Sequence, residues 1–93
     1  MNIVFEALAH PTRRAILEML KQGSKSAGEI ADAFDVSKPT MSGHFAKLKE
    51  AGLIQADQQG TTIIYSINLS TLEEVLLGFM GRIGVSGEKG NSK

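Results

Sequence analysis

Residues 36–49 constrain the fold most, because they have the pattern of a helix with one apolar face and one open face. Met41, Phe45 and Leu48 are spaced i, i+4 and i+7, which is the spacing of a buried helical stripe. The segment holds three lysines and no acid, although the formal net charge of the chain is zero. The opposite face carries small or polar residues and one lysine: Pro39, Thr40, Ser42, Gly43, Ala46 and Lys47.

The start of this helix has two candidate caps. Ser37 is a good N-cap residue, because its hydroxyl can accept from a backbone N–H of the first turn, and Val36 could pack on Met41 as a hydrophobic staple. Lys38 is the alternative, because a residue before proline avoids helical angles, while Pro39 fits the first turn. In either case, a capped helix with a thin, basic outer face suits the DNA major groove.

Composition limits the classes of function that these 93 residues can serve. The length fits one small domain whose core is only marginally sufficient. The absence of cysteine removes disulfides and thiolate metal sites. No apolar run approaches the ~20 residues of a membrane span, and the N-terminus lacks the basic region of a signal peptide, so we expect a cytoplasmic protein without membrane insertion. Zero net charge argues against a generic nucleic-acid binder and confines any DNA binding to one defined surface.

Two helices are expected at the start of the chain. A short apolar segment over residues 3–8 precedes Pro11, which suits the first turn of a second helix, with His10 as its cap and Gly23 at its end. Arg13 lies in the first turn of that second helix, next to a second arginine.

Arg13 and Arg14 have two possible roles. They can pair with Glu6 or Glu18, or one of them can contact a DNA phosphate. The residues themselves leave both open.

A helix-turn-helix unit contains the basic helix. Ser26 and Glu29 form the capping box of a short helix, residues 35–36 make a turn, and Gly52 closes the basic helix. Two short helices joined by a tight turn, the second with a basic outer face, are typical of DNA-binding helix-turn-helix motifs.

Residues 53–67 change period and predict a hairpin around Gln59 and Gly60. A hairpin directly after a recognition helix is a wing, which can reach the minor groove or the DNA backbone. This wing has no lysine or arginine, so Gln59 and Thr61 would contact DNA through an amide and a hydroxyl. A hairpin that only covers the core is the alternative.

The last helix carries more apolar surface than one small core needs. Ser70 and Glu73 form a second capping box at its start, and six apolar residues follow at helical spacing. The helix either packs back on its own domain or, as we expect, forms a homodimer interface with the first segment. The predicted interface residues are Ile3, Phe5, Leu72, Val75, Leu76, Phe79, Met80 and Ile83. We expect residues 1–83 to form the domain and residues 84–93, rich in glycine and serine, to form a flexible tail.

Three segments occur in a specific order: AHPTRRAILEML at 9–20, SKPTMSGHFAKLKEAGLI at 37–54 and QGTTIIYSI at 59–67. In this order they resemble the ArsR family of winged-helix repressors, and the likeness extends over residues 3–83. The resemblance implies a mainly α fold with a two-stranded β-wing. It also implies a homodimer through the first and last helices that binds an inverted-repeat operator in double-stranded DNA and blocks transcription.

Metal-sensing relatives carry ligands that this chain lacks. Many have cysteines in the helix corresponding to residues 26–34, and others have Asp and His on the last helix, where this chain has Glu73 and Glu74. His10 and His44 lie on different elements, from which we predict that they cannot form a metal site within a subunit. The resemblance therefore implies a metal-independent member without a cofactor, similar to small autorepressors encoded beside membrane immunity proteins. A membrane or soluble protein would then be the release signal, unless that signal is of another kind.

The predicted DNA contacts lie mainly on the basic helix. Lys38 and Lys47 suit phosphates or guanine, Thr40 suits a base or the backbone, and Gly43 would let the helix axis approach closely. His44, at the edge of the apolar stripe, is either a half-buried filler or a phosphate donor. The full set is Arg13, Ser37, Lys38, Pro39, Thr40, Ser42, Gly43, His44, Lys47, Gln59 and Thr61.

The residues also bear on two other classes of function. An enzyme is not expected, because the chain has no G-x-S-x-G motif, no cysteine nucleophile and no phosphate-binding glycine loop. A winged-helix module that binds only protein is the alternative. It would show no salt-dependent DNA affinity.

Overall fold

The fold is mainly helical, as predicted, and its antiparallel sheet has three strands. The structure is a computed structural model that describes residues 2–84. Its elements are α1 (Ile3–Leu8), α2 (Pro11–Leu20), β1 (Lys25–Ser26), α3 (Ala27–Asp32), α4 (Lys38–Glu50), β2 (Ile54–Gln59), β3 (Thr62–Ile67) and α5 (Leu69–Arg82). The predicted tail lies outside the described residues, apart from Gly84.

The predicted two-stranded wing is present as β2 and β3, and the sheet has one further strand that was not predicted. β3 pairs with β2 on one side and with β1 on the other. β1 is only two residues long, with Lys25 opposite Tyr65 and Ser26 opposite Ile64. A strand this short shows no alternation in the sequence, so only its pairing with β3 defines it.

The hairpin of β2 and β3 closes with a two-residue loop. Gln59 pairs with Thr62, which leaves Gly60 and Thr61 between them. Gly60 has a φ of 65°, a left-handed angle that glycine adopts without steric cost. The wing therefore turns one position later than a turn centred on Gln59 and Gly60 would.

The core lies between the first four helices and the base of the hairpin. Its largest fully buried side chains are Ile16, Leu20, Ile30, Leu48 and Leu53. Within the described chain, α5 has no buried residue. The domain is thus closed mainly by α1 to α4 and the sheet.

Helix starts follow local capping chemistry. His10 caps α2, because its Nδ1 accepts from the backbone N–H of Thr12 at 3.1 Å. The capping box of Ser26 and Glu29 is confirmed, with both reciprocal hydrogen bonds present. These bonds to Ser26 stabilise the carboxylate and hold the pKa of Glu29 below its ordinary value.

The predicted capping box of Ser70 and Glu73 is wrong. α5 begins at Leu69, and Asn68 is its N-cap, accepting from the N–H of Thr71. Asn68 also donates its own N–H to the carbonyl of Leu53 at 2.8 Å. That bond fixes the chain at the end of β3, so the helix starts at once with a preferred cap residue.

The end of α2 also differs from the prediction. Lys21 is the C-cap, and Gly23, with a φ of 139°, follows in the loop. Gly23 still donates its N–H to the carbonyl of Leu20 at 3.1 Å. The glycine therefore directs the chain out of the helix rather than capping it.

Candidate nucleic-acid interface

Ser37, and not Lys38, caps α4. Its Oγ accepts from the N–H of Thr40 at 3.3 Å and donates to Thr40 Oγ1 at 2.9 Å. Lys38 and Pro39 then form the first turn of the helix. Because Thr40 Oγ1 is the acceptor of that bond, its own hydrogen can be donated outward to a DNA oxygen.

The end of α4 is equally well defined. Gly52, at a φ of 75°, donates to the carbonyl of Lys49 at 2.9 Å, and Leu53 donates to the carbonyl of Leu48 at 3.0 Å. These two bonds are those of a Schellman motif, which satisfies carbonyls at the helix end. The chain leaves this motif directly into β2, so α4 and the wing are held at one angle.

The inner face of α4 is anchored as the apolar stripe predicts. Met41, Phe45 and Leu48 are buried. The ring of Phe45 stacks on that of Tyr65 in β3, with centroids 4.4 Å apart and planes inclined by 28°. This contact attaches the helix to the sheet and determines which face points away from the domain.

The outer face of α4 is continuous and exposed. At about 100° per residue, Thr40, Gly43 and Lys47 share one edge and Ser42 lies on the other; all four are exposed. A Cβ added at Gly43 would meet no atom within 4 Å. The fold itself therefore does not require glycine there, and the bare backbone is open to a ligand.

The remaining predicted positions of this face also point outward. Lys38 and Pro39 are exposed, as are Lys49, which is not among the predicted contacts, and Glu50 at the end of the helix. The carboxylate of Glu50 marks where the basic character of the face ends.

His44 is not on this face, which corrects its prediction as a phosphate donor. Its side chain is 6% exposed. Nδ1 lies 3.2 Å from Nη1 of Arg13, and Nε2 is buried without a hydrogen-bond partner among the described residues. Burial, followed by the nearby charges of His10 and Arg13, lowers the pKa of His44.

The two histidines lie close together, although they belong to different elements of the chain. The rings of His10 and His44 have centroids 4.5 Å apart. Across residues 2–84, no group of three or more His, Cys, Asp or Glu side chains is placed to hold a metal ion. The contact between His44 and Arg13 spans 31 positions, and no local pattern indicates it.

Arg13 is hydrogen-bonded to backbone carbonyls and to His44, and not to the carboxylate of Glu6 or Glu18. Its Nε donates to the carbonyl of Ala7 at 2.7 Å and its Nη2 to the carbonyl of Glu6 at 3.1 Å. Arg14 likewise donates to the carbonyl of Leu8 at 2.7 Å. Carbonyls at a helix C-terminus lack intrahelical partners and attract cations, so both arginines cap α1.

The wing tip presents amides that already have partners in the chain. Gln59 Nε2 donates to Asp57 Oδ2 at 3.0 Å, and Gln58 Nε2 donates to the carbonyl of Gly60 at 2.9 Å. Gln59 and Thr61 are both exposed. Contact between this tip and DNA stays a prediction.

An apolar surface runs along α1 and α5. Phe5 and Phe79 make an edge contact with centroids 5.1 Å apart, while Leu72 and Val75 pack partly against the core. The rest of this apolar surface is exposed to solvent. Four of its residues are exposed by 38% to 56%: Ile3, Leu76, Phe79 and Ile83. The first part of α5 thus packs on its own domain through Leu72 and Val75, and the later part exposes apolar side chains. Between residues 2 and 84, no helix is long and apolar enough to cross a membrane.

The comparisons with known proteins agree with this geometry. Residues 8–55 match the model of a helix-turn-helix domain. The chain is 46% identical over 74 residues to the transcriptional repressor SdpR of Bacillus subtilis (strain 168), covering 80% of this chain and 82% of that protein. It is 41% identical over 64 residues to the HTH-type transcriptional regulator Rv2034 of Mycobacterium tuberculosis, covering 69% of this chain and 60% of that protein.

Solved structures show the same fold over nearly the whole chain. A crystal structure of an ArsR family transcriptional regulator matches with a TM-score of 0.83 at 30% identity, covering 95% of this chain and 97% of the other. An ArsR-like transcriptional regulator from Rhodococcus sp. RHA1 matches with a TM-score of 0.76 at 30% identity, covering 88% and 76%. The chain belongs to the ArsR family of winged helix-turn-helix transcriptional repressors.

Proposed function

We propose that this repressor acts as a homodimer on an inverted-repeat operator, with α4 of each subunit in the major groove. The observation that carries the proposal is the outer face of α4. It is exposed along its length, it is fixed at both ends by caps, and its inner face is buried. A helix that is capped at both ends and exposes one face can enter the major groove without rearrangement of the domain.

The side chains of this face divide into two roles. Lys38 and Lys47 neutralise phosphates and supply most of the affinity. Thr40 and Ser42 reach base edges or the backbone through their hydroxyls, and Gly43 allows close approach of the helix. The wing residues Gln59 and Thr61 add contacts beside the groove. Arg13 and His44 stabilise the packing of the helices and do not contact DNA.

The homodimer is supported by the apolar surface along α1 and α5. None of the 14 residues of α5 is fully buried within the described chain, so much of its apolar face is free to pack against a second copy. A second copy would cover Leu76, Phe79 and Ile83 by twofold symmetry. With one α4 from each subunit, half-sites would lie about 10 bp apart, or a multiple of this, from centre to centre.

Several further properties belong to the same proposal. The repressor works in the cytoplasm without a metal or other cofactor, and it has no enzymatic activity. Its own promoter is a natural target, as for a small autorepressor. Release from DNA by a membrane or soluble anti-repressor protein fits the absence of a metal-ligand group within residues 2–84.

The test is a pull-down of short genomic fragments, including the region upstream of the protein's own gene, sequenced after binding at two salt concentrations. We expect enrichment of fragments that share an inverted repeat, with lower recovery at the higher salt. A matched variant, Lys38→Glu with Lys47→Glu, should remain folded and enrich nothing. Absence of enrichment at the lower salt, with the wild type folded, would favour a module that binds only protein.

A further inference from the structure

A polar cluster lies at the buried edge of α4, next to the exposed edge that carries Thr40 and Lys47. It consists of His44 from α4, Arg13 from α2 and His10 from the start of α2. His44 Nδ1 is 3.2 Å from Arg13 Nη1, and the two imidazole rings are 4.5 Å apart. His44 is 6% exposed, so the cluster is partly closed to water.

The contact with Arg13 determines which nitrogen of His44 carries the proton. A guanidinium has only N–H donors and does not lose its charge in proteins. Nδ1 of His44 must therefore accept, which leaves the hydrogen of the neutral ring on Nε2. That N–H is buried and has no hydrogen-bond partner among residues 2–84. A buried unsatisfied group of this kind calls for an explanation, such as a functional role.

Arg13 connects this ring to two other helices. Its Nε and Nη2 donate to the carbonyls of Ala7 and Glu6 at the end of α1, while its backbone belongs to α2. One side chain thus joins α1, α2 and α4. The bond from Arg13 to α4 requires His44 Nδ1 to be an acceptor.

A proton on Nδ1 would break this arrangement. It would place an N–H and a positive charge against the guanidinium of Arg13 and beside the ring of His10, both from α2. From α1 the cluster receives only the backbone carbonyls of Glu6 and Ala7, which Arg13 already occupies. No carboxylate is hydrogen-bonded to the cluster within the described chain to offset the added charge, so the ring would have to leave its site.

We propose that the His10–Arg13–His44 cluster is a proton-sensitive latch, which holds α4 in its DNA-binding position when His44 is neutral and releases it on acidification. His44 and Arg13 are then positioning residues for DNA recognition, acting through the placement of α4 and not by contact with DNA. The proposal rests on the proposed function, because its main readout is DNA affinity.

The direction of the effect follows from burial. The pKa of His44 is lowered in the folded protein, first by desolvation and then by the charges of His10 and Arg13. The seated conformer is therefore favoured fully above the ordinary histidine pKa of about 6.5 and loses stability as pH falls below it. The ratio of released to seated conformer can rise by up to about tenfold for each pH unit in that window.

The experiment measures DNA affinity at pH 7.5 and pH 5.5, at one ionic strength, for the wild type, His44→Asn and His10→Asn. Asparagine at position 44 can still accept from Arg13 but does not titrate. The chain has only these two histidines, so each variant isolates the other. We expect wild type and His10→Asn to lose affinity severalfold at pH 5.5, and His44→Asn to bind equally at both pH values.

Two outcomes would overturn the latch without contradicting the proposed function. In one, the DNA affinity of the wild type is the same at both pH values. In the other, His44→Asn loses as much DNA affinity between pH 7.5 and pH 5.5 as the wild type does. Loss of binding at pH 7.5 by a folded wild type would instead contradict the proposed function. An NMR titration of the wild-type His44 ring needs no variant. Titration at or above pH 6.5 in the folded protein would also overturn the latch.

Discussion

Gly43→Ala separates the stability of the domain from its affinity for DNA. Gly43 lies in the middle of α4 with an ordinary helical φ, and an added Cβ meets no atom within 4 Å. Alanine in a helix interior is more stable than glycine by about 0.5–1 kcal/mol. For a domain of this size, we expect the melting temperature to rise by roughly 2–8 °C.

DNA affinity should move in the opposite direction. Gly43 stands between Thr40 and Lys47 on the face that we place against base edges. A methyl group forced into a close-packed contact typically costs about 1–3 kcal/mol. This range corresponds to binding that is roughly 5- to 150-fold weaker.

Thermal unfolding followed by circular dichroism and DNA binding followed by fluorescence anisotropy measure the two effects. Gly78→Ala is the matched control, because Gly78 is also an exposed helix-interior glycine with open space at its Cβ, but on α5. It should gain stability and keep the wild-type DNA affinity. If Gly43→Ala binds DNA as tightly as the wild type, α4 does not approach DNA closely at this position.

Three further substitutions test separate parts of the structure. Lys47→Ala should lower the slope of log affinity against log salt by about one unit, measured by anisotropy at several salt concentrations. Lys49→Ala is its control and should leave the slope unchanged. If Lys47→Ala has the wild-type slope, Lys47 does not contact a phosphate. Phe79→Glu should be monomeric at micromolar concentration in sedimentation. Leu77→Glu is its control and should stay dimeric, because the Leu77 side chain is 65% exposed and lies outside the predicted interface residues. A dimeric Phe79→Glu would exclude α5 as the interface. Ser26→Ala should lose about 1 kcal/mol of unfolding free energy in urea titration, and an unchanged midpoint would show that the capping box adds no stability.

The elements that the residues predicted correctly are those governed by local chemistry. The stripe of Met41, Phe45 and Leu48 predicted the buried face of α4, because a helical period is set by neighbours three and four positions away. Ser26 and Glu29 likewise predicted the start of α3, because the hydrogen bonds of a capping box join residues only three positions apart. Such features require no knowledge of the rest of the fold.

The start of α5 shows where local chemistry was not enough. Ser70 and Glu73 have the right spacing for a capping box, but Asn68 is held first by its hydrogen bond to Leu53, across the sheet. A contact between distant positions decided which of two adequate caps is used.

The sequence by itself determined that this chain has a basic, capped helix within a helix-turn-helix and an apolar last helix. Only the tertiary structure decided that Arg13 turns inward to the end of α1, that His44 lies buried against it, and that a third strand joins the wing. The physical reason is range. Helical period and capping act over a few residues, whereas the partner of a side chain at the edge of a stripe depends on which helix packs there.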